Sequence, residues 1–484
     1  MVTDQLRNEL LALLGRDGVI DRPAQLRTYE CDGLTARKAI PGLVILPRST
    51  EEVVAAMKAC AGAGVPIVPR GAGTGLSGGA MPHPEGVLVG LARMRRILSV
   101  DRANRQMTVE PGVTIAEING AAALHGLYYA PDPSSHLVCS IGGNVGENSG
   151  GAHCLKYGVT TNHVLGLVVV LADGSAIRLG GAALDSPGYD LRGVVIGSEG
   201  TLGIVTEVTV RLLRKPESVR TLVADFVTPS AAGTAVSGMI GAGIVPAAVE
   251  LMDQLAIEAC EGAVGAGFSR EAGAVLVVEI DGVPGDVDAE FEEARRICAE
   301  SGATALRIAA DADERALIWA GRKAAFAAVG RLSPDYLVQD GVVPRAILPD
   351  VLERIAGVSK ASGVRVANVF HAGDGNLHPL VLYDGSKEGE AERAEQVAVE
   401  ISEICVEHGG SITGEHGIGV EKVCLLPRMF SEQDLAVMQR VRAAFDPESR
   451  CNPGKVFPTA EKCGGRTMDY RPDPVESEAG RGPK

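Results

Sequence analysis

Short apolar runs alternate with amphipathic stretches along most of this chain. Over residues 40–70, IPGLVILP reads as a strand, STEEVVAAMKACAGAG as a helix and VPIVPR as a second strand. Ser49 or Thr50 suits the helix N-cap, Glu51 and Glu52 complement its first turn, and glycine ends it. Further strand-like runs are VLVGL (87–91), QMTVEPG (106–112), LGLVVVLADGSAIRL (165–179) and LGIVTEVTVRLL (202–213); ADG at 172–174 predicts a hairpin turn. From 221 to about 310, strands TLVADFV, AAVEL, AVLVVEI and TALRI alternate with helices PSAAGTAVSGMIGAG, MDQLAIEACEG and DAEFEEARRICAES. That order predicts a separate sheet with helices packed on one face. Beyond 311, polar motifs lie between helices, and EAERAEQVAVEISEICVEHG has apolar residues at 394, 397, 401, 404 and 405, a helical period. The first 18 residues read as an amphipathic helix with early acids and no cleavage site, unlike a secretory signal.

The composition shifts near Lys215-Pro216. We therefore expect a helical segment over 1–37, a first domain over 38–215, a second over 216–460 and a mobile tail over 461–484. The first domain should hold two small α+β units around a glycine-rich centre. A hydrophobic fraction of 46% argues for a globular chain rather than a disordered one. With aromatics at 4% and a single tryptophan, Trp319, the core falls to Ala, Val, Leu and Ile. The net charge of −15 argues against nucleic acid or an anionic membrane as a partner through bulk charge, though not against a local basic pocket. The longest apolar run, Val164 to Ala172, falls short of the ~20 residues of a spanning helix. Ten cysteines form no CxxC and no cluster, which disfavours a zinc ribbon or a Cys-ligated iron–sulfur cluster. Reduced thiols in a cytoplasmic protein are the expectation.

Three glycine-rich segments carry the first chemistry. PRGAGTGLSGG, from Pro69, places five glycines in the nine residues 71–79 directly after a strand. Such a loop turns successive backbone N–H groups toward one point, as a pyrophosphate requires. The spacing is not that of the βαβ dinucleotide fingerprint, and no amphipathic helix follows. PDPSSHLVCSIGGNVGENSGGAHCLKYG (131–158) winds glycines between Ser, Asn and Glu, and GSEGTLGIVTEVTV (197–210) leads a glycine turn into a strand. Taken singly, each is compatible with a plain loop; a connection as long as the second is unusual in a compact domain unless it binds something.

In this order the three segments resemble the FAD-binding domain of the vanillyl-alcohol oxidase / p-cresol methylhydroxylase type. The resemblance implies an α+β fold in which residues 38–215 form a p-cresol methylhydroxylase-type FAD-binding domain of two subdomains. The loop with Arg70, Gly71, Ala72, Gly73, Thr74, Gly75, Ser77 and Gly78 would hold the pyrophosphate. Pro131, Ser135, Ser140, Gly142, Gly143, Asn144, Asn148 and Gly151, with Glu199, Gly203 and Ile204, would flank the flavin and adenosine. Many relatives tether the flavin to His or Cys; Ser77 and its neighbours offer neither, so non-covalent FAD is expected.

HAGDGNLHP sets His371 and His378 seven apart between the strands VRVANVF and PLVLY, and GSITGEHGIGVEK sets Glu415 beside His416. A lone histidine in such a turn is commonly structural. Two His plus one carboxylate, however, is a metal set of the His₂Glu kind with positions open for substrate, leaving His416 as an acid or base. These motifs resemble the C-terminal domain of the D-2-hydroxy-acid dehydrogenase branch of the same FAD family, and among its members the FAD-binding subunits of glycolate oxidases. Carry-over implies a divalent metal, zinc or manganese, at His371, His378 and Glu415, with His416 as catalytic base. IWAGRK matches the branch's Trp-x-x-Arg, which makes Arg322 the anchor for a substrate carboxylate; on the residues alone a helix-surface salt bridge is the simpler reading. The end containing Asn452-Pro453-Gly454-Lys455 would return to the flavin. The second domain would then be a substrate or cap domain with an antiparallel sheet and a helical C-terminal segment.

The resemblance implies FAD-dependent oxidation of a small 2-hydroxy acid, glycolate or D-lactate, to the 2-oxo acid. It also implies a second FAD-domain subunit and an iron–sulfur subunit as partners, with any membrane contact made through them at the inner face. Two alternatives stay open on the residues: a stand-alone D-lactate or D-2-hydroxyglutarate dehydrogenase, and a non-catalytic FAD subunit that only relays electrons.

Overall fold

The computed structural model describes residues 1–183, 188–459 and Cys463. Ser49 is the N-cap of the first crossover helix, Thr50–Gly62, its side chain accepting from Glu52 N. That helix turns Val53, Ala56, Met57 and Cys60 inward, one apolar stripe laid against a sheet. It joins the parallel strands Leu43–Ile45 and Ile67–Arg70, which both pair with Val87–Gly90. Val19–Ile20 adds an antiparallel edge.

The second sheet is antiparallel, in the order Ile97–Asp101, Gln106–Val109, Ile204–Arg211, Val164–Val170, Ala176–Gly180. The hairpin expected at 172–174 closes with Gly174 at φ +81°, a conformation glycine adopts without strain. Every residue of Val164–Val170 is buried, because both faces of the strand are covered. Leu167 and Val169 face one core, while Val170 and Ile204 join the core of the first sheet. The two small units are therefore packed as one body around the glycine-rich segments.

Residues 131–158 are not a continuous open connection. They contain the helix Ile141–Glu147, capped by Ser140 and ended by Asn148 at φ +54°. Gly142, Gly143 and Gly146 lower helix propensity so far that sequence reasoning passed it over.

The third sheet has nine strands. Ser218–Phe226, Ala248–Asp253, Ala274–Gly282 and Ala305–Ile308 alternate with helices Pro229–Gly241, Gln254–Ala263 and Pro284–Glu300, the order the sequence predicts. All its strand pairs are antiparallel, and the sheet continues through Val366–His371 to Pro379–Tyr383. The expectation of helices on one face is corrected. Leu276 and Val278 pack with helices Pro229–Gly241, Pro284–Glu300, Leu348–Ser362 and Glu390–Glu407. Val275 and Val277 pack on the other side with Gln254–Ala263 and Ala312–Val329. The strand AVLVV is apolar at consecutive positions, which is what burial on both faces requires.

The chain's last described stretch returns to the first sheet: Ile67 N donates to Arg450 O at 2.9 Å, and Asn452 N to Ile67 O at 2.7 Å. Cys424 and Cys463 form a disulfide, which corrects the expectation of reduced thiols throughout; the fold-back that brings them together leaves no mark in their spacing. The other eight cysteines are free. Apart from Cys463, the tail expected to be mobile lies outside the described residues. Among the described residues no helix is long and apolar enough to cross a membrane.

Candidate active site

The loop after Ile67–Arg70 borders a cleft whose wall includes Gly71, Gly79, Gly143, Gly146 and Glu199. At two of these positions a side chain would meet its neighbours at once. A Cβ at Gly71 would overlap the Ser140 hydroxyl, and one at Gly79 would stand 2.8 Å from Glu147 Oε1 and 3.3 Å from Glu199 Oε2. Gly142 lies against Pro111 and Gly151, at φ +143°, against Asp132. Backbone is thus laid bare along the cleft, the condition for close approach of a long cofactor. Arg70 turns back into the fold, Nη1 donating to Cys31 O at 2.7 Å.

Of the other residues singled out for the cofactor, Asn144 is buried with Nδ2 unpartnered. Asn148 Oδ1 accepts from Thr161 N. Gly203 packs on Val169 and Val170, and the Ile204 side chain lies wholly inside the core. Asn452 reaches both glycine segments, Nδ2 donating to Gly79 O at 2.8 Å and Glu199 O at 2.6 Å.

The segment 413–420 of the second domain docks on this loop. Ser77 Oγ donates to His416 O at 2.9 Å, and Ser77 O accepts from the N–H groups of Val420 and Glu421. Glu199 accepts from Ile418 N and Gly419 N, both at 2.7 Å.

His371 ends its strand, and the short pairing with Asn376–Leu377 folds the chain back so that the His371 and His378 rings meet at 5.0 Å between centroids. Glu415 Oε1 lies 3.4 Å from His371 Nε2 and 3.3 Å from His378 Nε2. The three ligand atoms fall within 4.8 Å of one another. The fully buried His378 makes no well-formed hydrogen bond at either nitrogen, its Nε2 standing 3.3 Å from both Asp340 Oδ1 and Glu415 Oε1, so a cation held by His371, His378 and Glu415 would fill a donor set that the protein leaves open. Burial pushes the Glu415 carboxyl up, but the histidines outweigh it and hold it at about 2. Burial likewise works against the His371 charge, and Glu250 and Glu415 raise its pKa well above the usual range.

His416 stacks on His378 at 4.8 Å between centroids and 9° between planes. Burial lowers its pKa to about 4, leaving a neutral imidazole at pH 7. Arg322 is 2% exposed and ion-paired to Glu250. The structure thus brings His371, His378, Glu415, His416 and Arg322 to one end of the third sheet.

Sequence reasoning missed two carboxylates here. Glu250 lies opposite His371 in the strand pairing and accepts from its Nδ1 at 2.8 Å. Asp340 accepts from Thr413 Oγ1 and from the backbone N–H groups of Gly414, Glu415 and His416, so it shapes the loop that carries the last two. Asp340, His378 and His416 also approach one another: these donors meet Oδ2, while Oδ1, 3.3 Å from Glu415 N, stands 3.3 Å from His378 Nε2. Lys422, 2% exposed, stands 3.6 Å from Asp340 Oδ2. Acids within otherwise apolar strands such as AAVEL were the available signal for Glu250.

Residues 41–180 match the family model of an FAD binding domain, and residues 215–456 match that of the FAD linked oxidases, C-terminal domain. The chain belongs to the FAD-linked oxidases. This FAD-linked oxidase is 50% identical to the glycolate oxidase subunit GlcD of Escherichia coli (strain K12), across 92% of the chain and 89% of that protein. It is 40% identical to the GlcD subunit of Bacillus subtilis (strain 168), across 94% and 97%. Its fold matches that of p-cresol methylhydroxylase with substrate bound, at a TM-score of 0.79 and 16% identity, covering 94% of this chain and 97% of that one.

A second polar network joins the two domains of the oxidase. His153 sits between Asp132, 3.0 Å from Nδ1, and Glu279 of the third sheet, 3.4 Å from Nε2, with its ring stacked on Trp319. Glu279 also accepts from Trp319 Nε1 at 2.6 Å and from Arg315 at 2.7 and 2.6 Å. Both Arg315 and Trp319 lie on Ala312–Val329, the helix that carries Arg322. The network therefore fixes that helix against the segment 131–158.

Proposed function

We propose that this oxidase converts a small 2-hydroxy acid, glycolate first among them, to the 2-oxo acid, as the catalytic subunit of a glycolate oxidase-type complex. The observation that carries the reading is the convergence of Arg322, His416 and the His371/His378/Glu415 set beside the 413–420 segment, which packs on the flavin loop. Gly71, Gly79, Gly143 and the neighbouring backbone would hold FAD, without a covalent tether, since residues 70–79 contain neither His nor Cys. Bound FAD supplies the two-electron oxidant, and a divalent ion, zinc or manganese, at His371, His378 and Glu415 supplies positive charge beside the substrate hydroxyl.

The remaining work falls to side chains of this chain. Arg322 receives the substrate carboxylate, while Glu250 keeps the guanidinium in place. His416 takes the hydroxyl proton at Nε2, the ring nitrogen on the Glu415 side, 3.8 Å from Oε1. Its Nδ1 lies 3.9 Å from Asp340 Oδ2. Its neutrality at pH 7 suits a base. The relatives are named as subunits, and a second FAD-domain subunit and an iron–sulfur subunit fit a chain with no CxxC of its own. We place the complex in the cytoplasm, touching the inner face of the membrane only through partners.

The test is anaerobic bleaching of the flavin, scored across glycolate, D-lactate, L-lactate and D-2-hydroxyglutarate. Glycolate should bleach fastest. Preference for D-2-hydroxyglutarate would overturn the small-substrate reading, and no bleaching by any would favour a relay subunit.

A further inference from the structure

Glu250 touches both halves of the proposed site, His371 on one side and Arg322 on the other. It lies in Ala248–Asp253, a strand with neighbours on both sides, where Val249 and Leu251 turn to the opposite face and its own side chain is wholly buried. A lone carboxylate there is costly unless its charge is met. Both oxygens meet His371 Nδ1, at 2.8 and 3.0 Å, and Oε2 also pairs with Arg322 Nη2.

We infer that Glu250 is a positioning residue that couples the cation site to the arginine that holds the substrate carboxylate. Accepting from Nδ1–H makes Nε2, turned to Glu415, the nitrogen that a cation would take. Pairing with Nη2 fixes the guanidinium beside His371. Because one carboxylate makes both contacts, a change at either partner moves the other, and coupling between two bound ligands is reciprocal. The inference rests on the metal and anchor assignments of the proposed function.

Zinc affinity of the FAD-loaded protein, measured by equilibrium dialysis with elemental analysis, tests it alongside steady-state kinetics. Glu250→Gln removes the charge at nearly constant shape. Zinc affinity should fall roughly 10–100-fold. At saturating zinc, KM for glycolate should rise at least ~5-fold while FAD content stays at the wild-type level. Zinc affinity and KM both unchanged, or only one of them changed, would overturn the coupling. If Glu250→Gln does not fold, Glu250→Asp takes its place: it keeps the charge but withdraws it by one methylene, and it should weaken both quantities. Failure of the wild-type protein to bind zinc would instead overturn the ligand assignment beneath the inference.

Discussion

Ser77 and His416 lie 339 residues apart in the chain, yet the serine hydroxyl donates to the histidine carbonyl at 2.9 Å. One belongs to the glycine loop proposed to hold the flavin, the other is the proposed base. With Val420 and Glu421 donating to Ser77 O, the two loops form a single hydrogen-bonded unit. Ser77, with its hydroxyl and its carbonyl both engaged, thereby ties the proposed base to the loop proposed to hold the cofactor.

Gly419 sits in the tightest part of that contact, at φ +53°, where an added Cβ would overlap the Ser77 carbonyl. Gly419→Ala should force the loops apart and lower turnover on the order of 100-fold, the cost of misplacing reacting groups by about 1 Å. FAD affinity, followed by flavin fluorescence, should fall as well. Gly357→Ala, in a helix with open space at the Cβ position, is the control and should leave both unchanged.

Much of this arrangement is legible in the sequence, and the rest has physical reasons for being hidden. Ser49 caps its helix as its position suggests, and the strand and helix order from 218 to 308 follows from apolar runs bounded by glycine and proline. His371, His378 and Glu415 stand out because glycines surround them. Glu250 and Glu279 do not, because each is a single acid in a run that otherwise reads as ordinary strand; only their pairing across the sheet reveals a purpose. Asp340 lies in QDGVVP, which reads as a turn, and its four donors come from a loop more than 70 residues later. Helix Ile141–Glu147 was hidden by its glycines.

His153 gives the interface between domains a pH signature. Burial pushes its pKa down, but Asp132 and Glu279 outweigh burial and raise it to about 10. A raised pKa stabilises the fold fully below the unfolded value near 6.5, and that contribution is lost as pH rises through about 10. The Tm gap between wild type and His153→Gln should therefore be widest at pH 6 and close between pH 8 and 10.5. A gap that is constant over that range would show that His153 carries no charge in the interface.

Metal and flavin should be separable. His371→Ala and Glu415→Ala lie outside the glycine cleft, so both should lose bound metal and most turnover while keeping a normal flavin spectrum. Acid precipitation of either variant, or of the wild type, should release yellow flavin into the supernatant. Flavin kept in the washed pellet would rule out non-covalent binding, and unchanged metal content would rule out the ligand set. Metal uptake should also weaken as pH falls, because His371 Nε2 must be unprotonated to ligate and its neighbours favour the proton.

Electrons that reach the flavin must leave it. The eight free cysteines are dispersed and the remaining two form the Cys424–Cys463 disulfide, so the described chain offers no cysteine set for an iron–sulfur cluster. The glycine loop at 70–79 lacks the nicotinamide fingerprint, and no amphipathic helix follows its last glycine. On the proposed reading another protein, or in vitro a dye, accepts the electrons. The purified chain with glycolate should reduce an artificial dye and leave NAD⁺ untouched, and adding the iron–sulfur subunit should open a path to a quinone. Measuring absorbance at the dye band and at the NADH band in parallel decides it: rapid NADH formation by the isolated chain would remove the need for a relay partner.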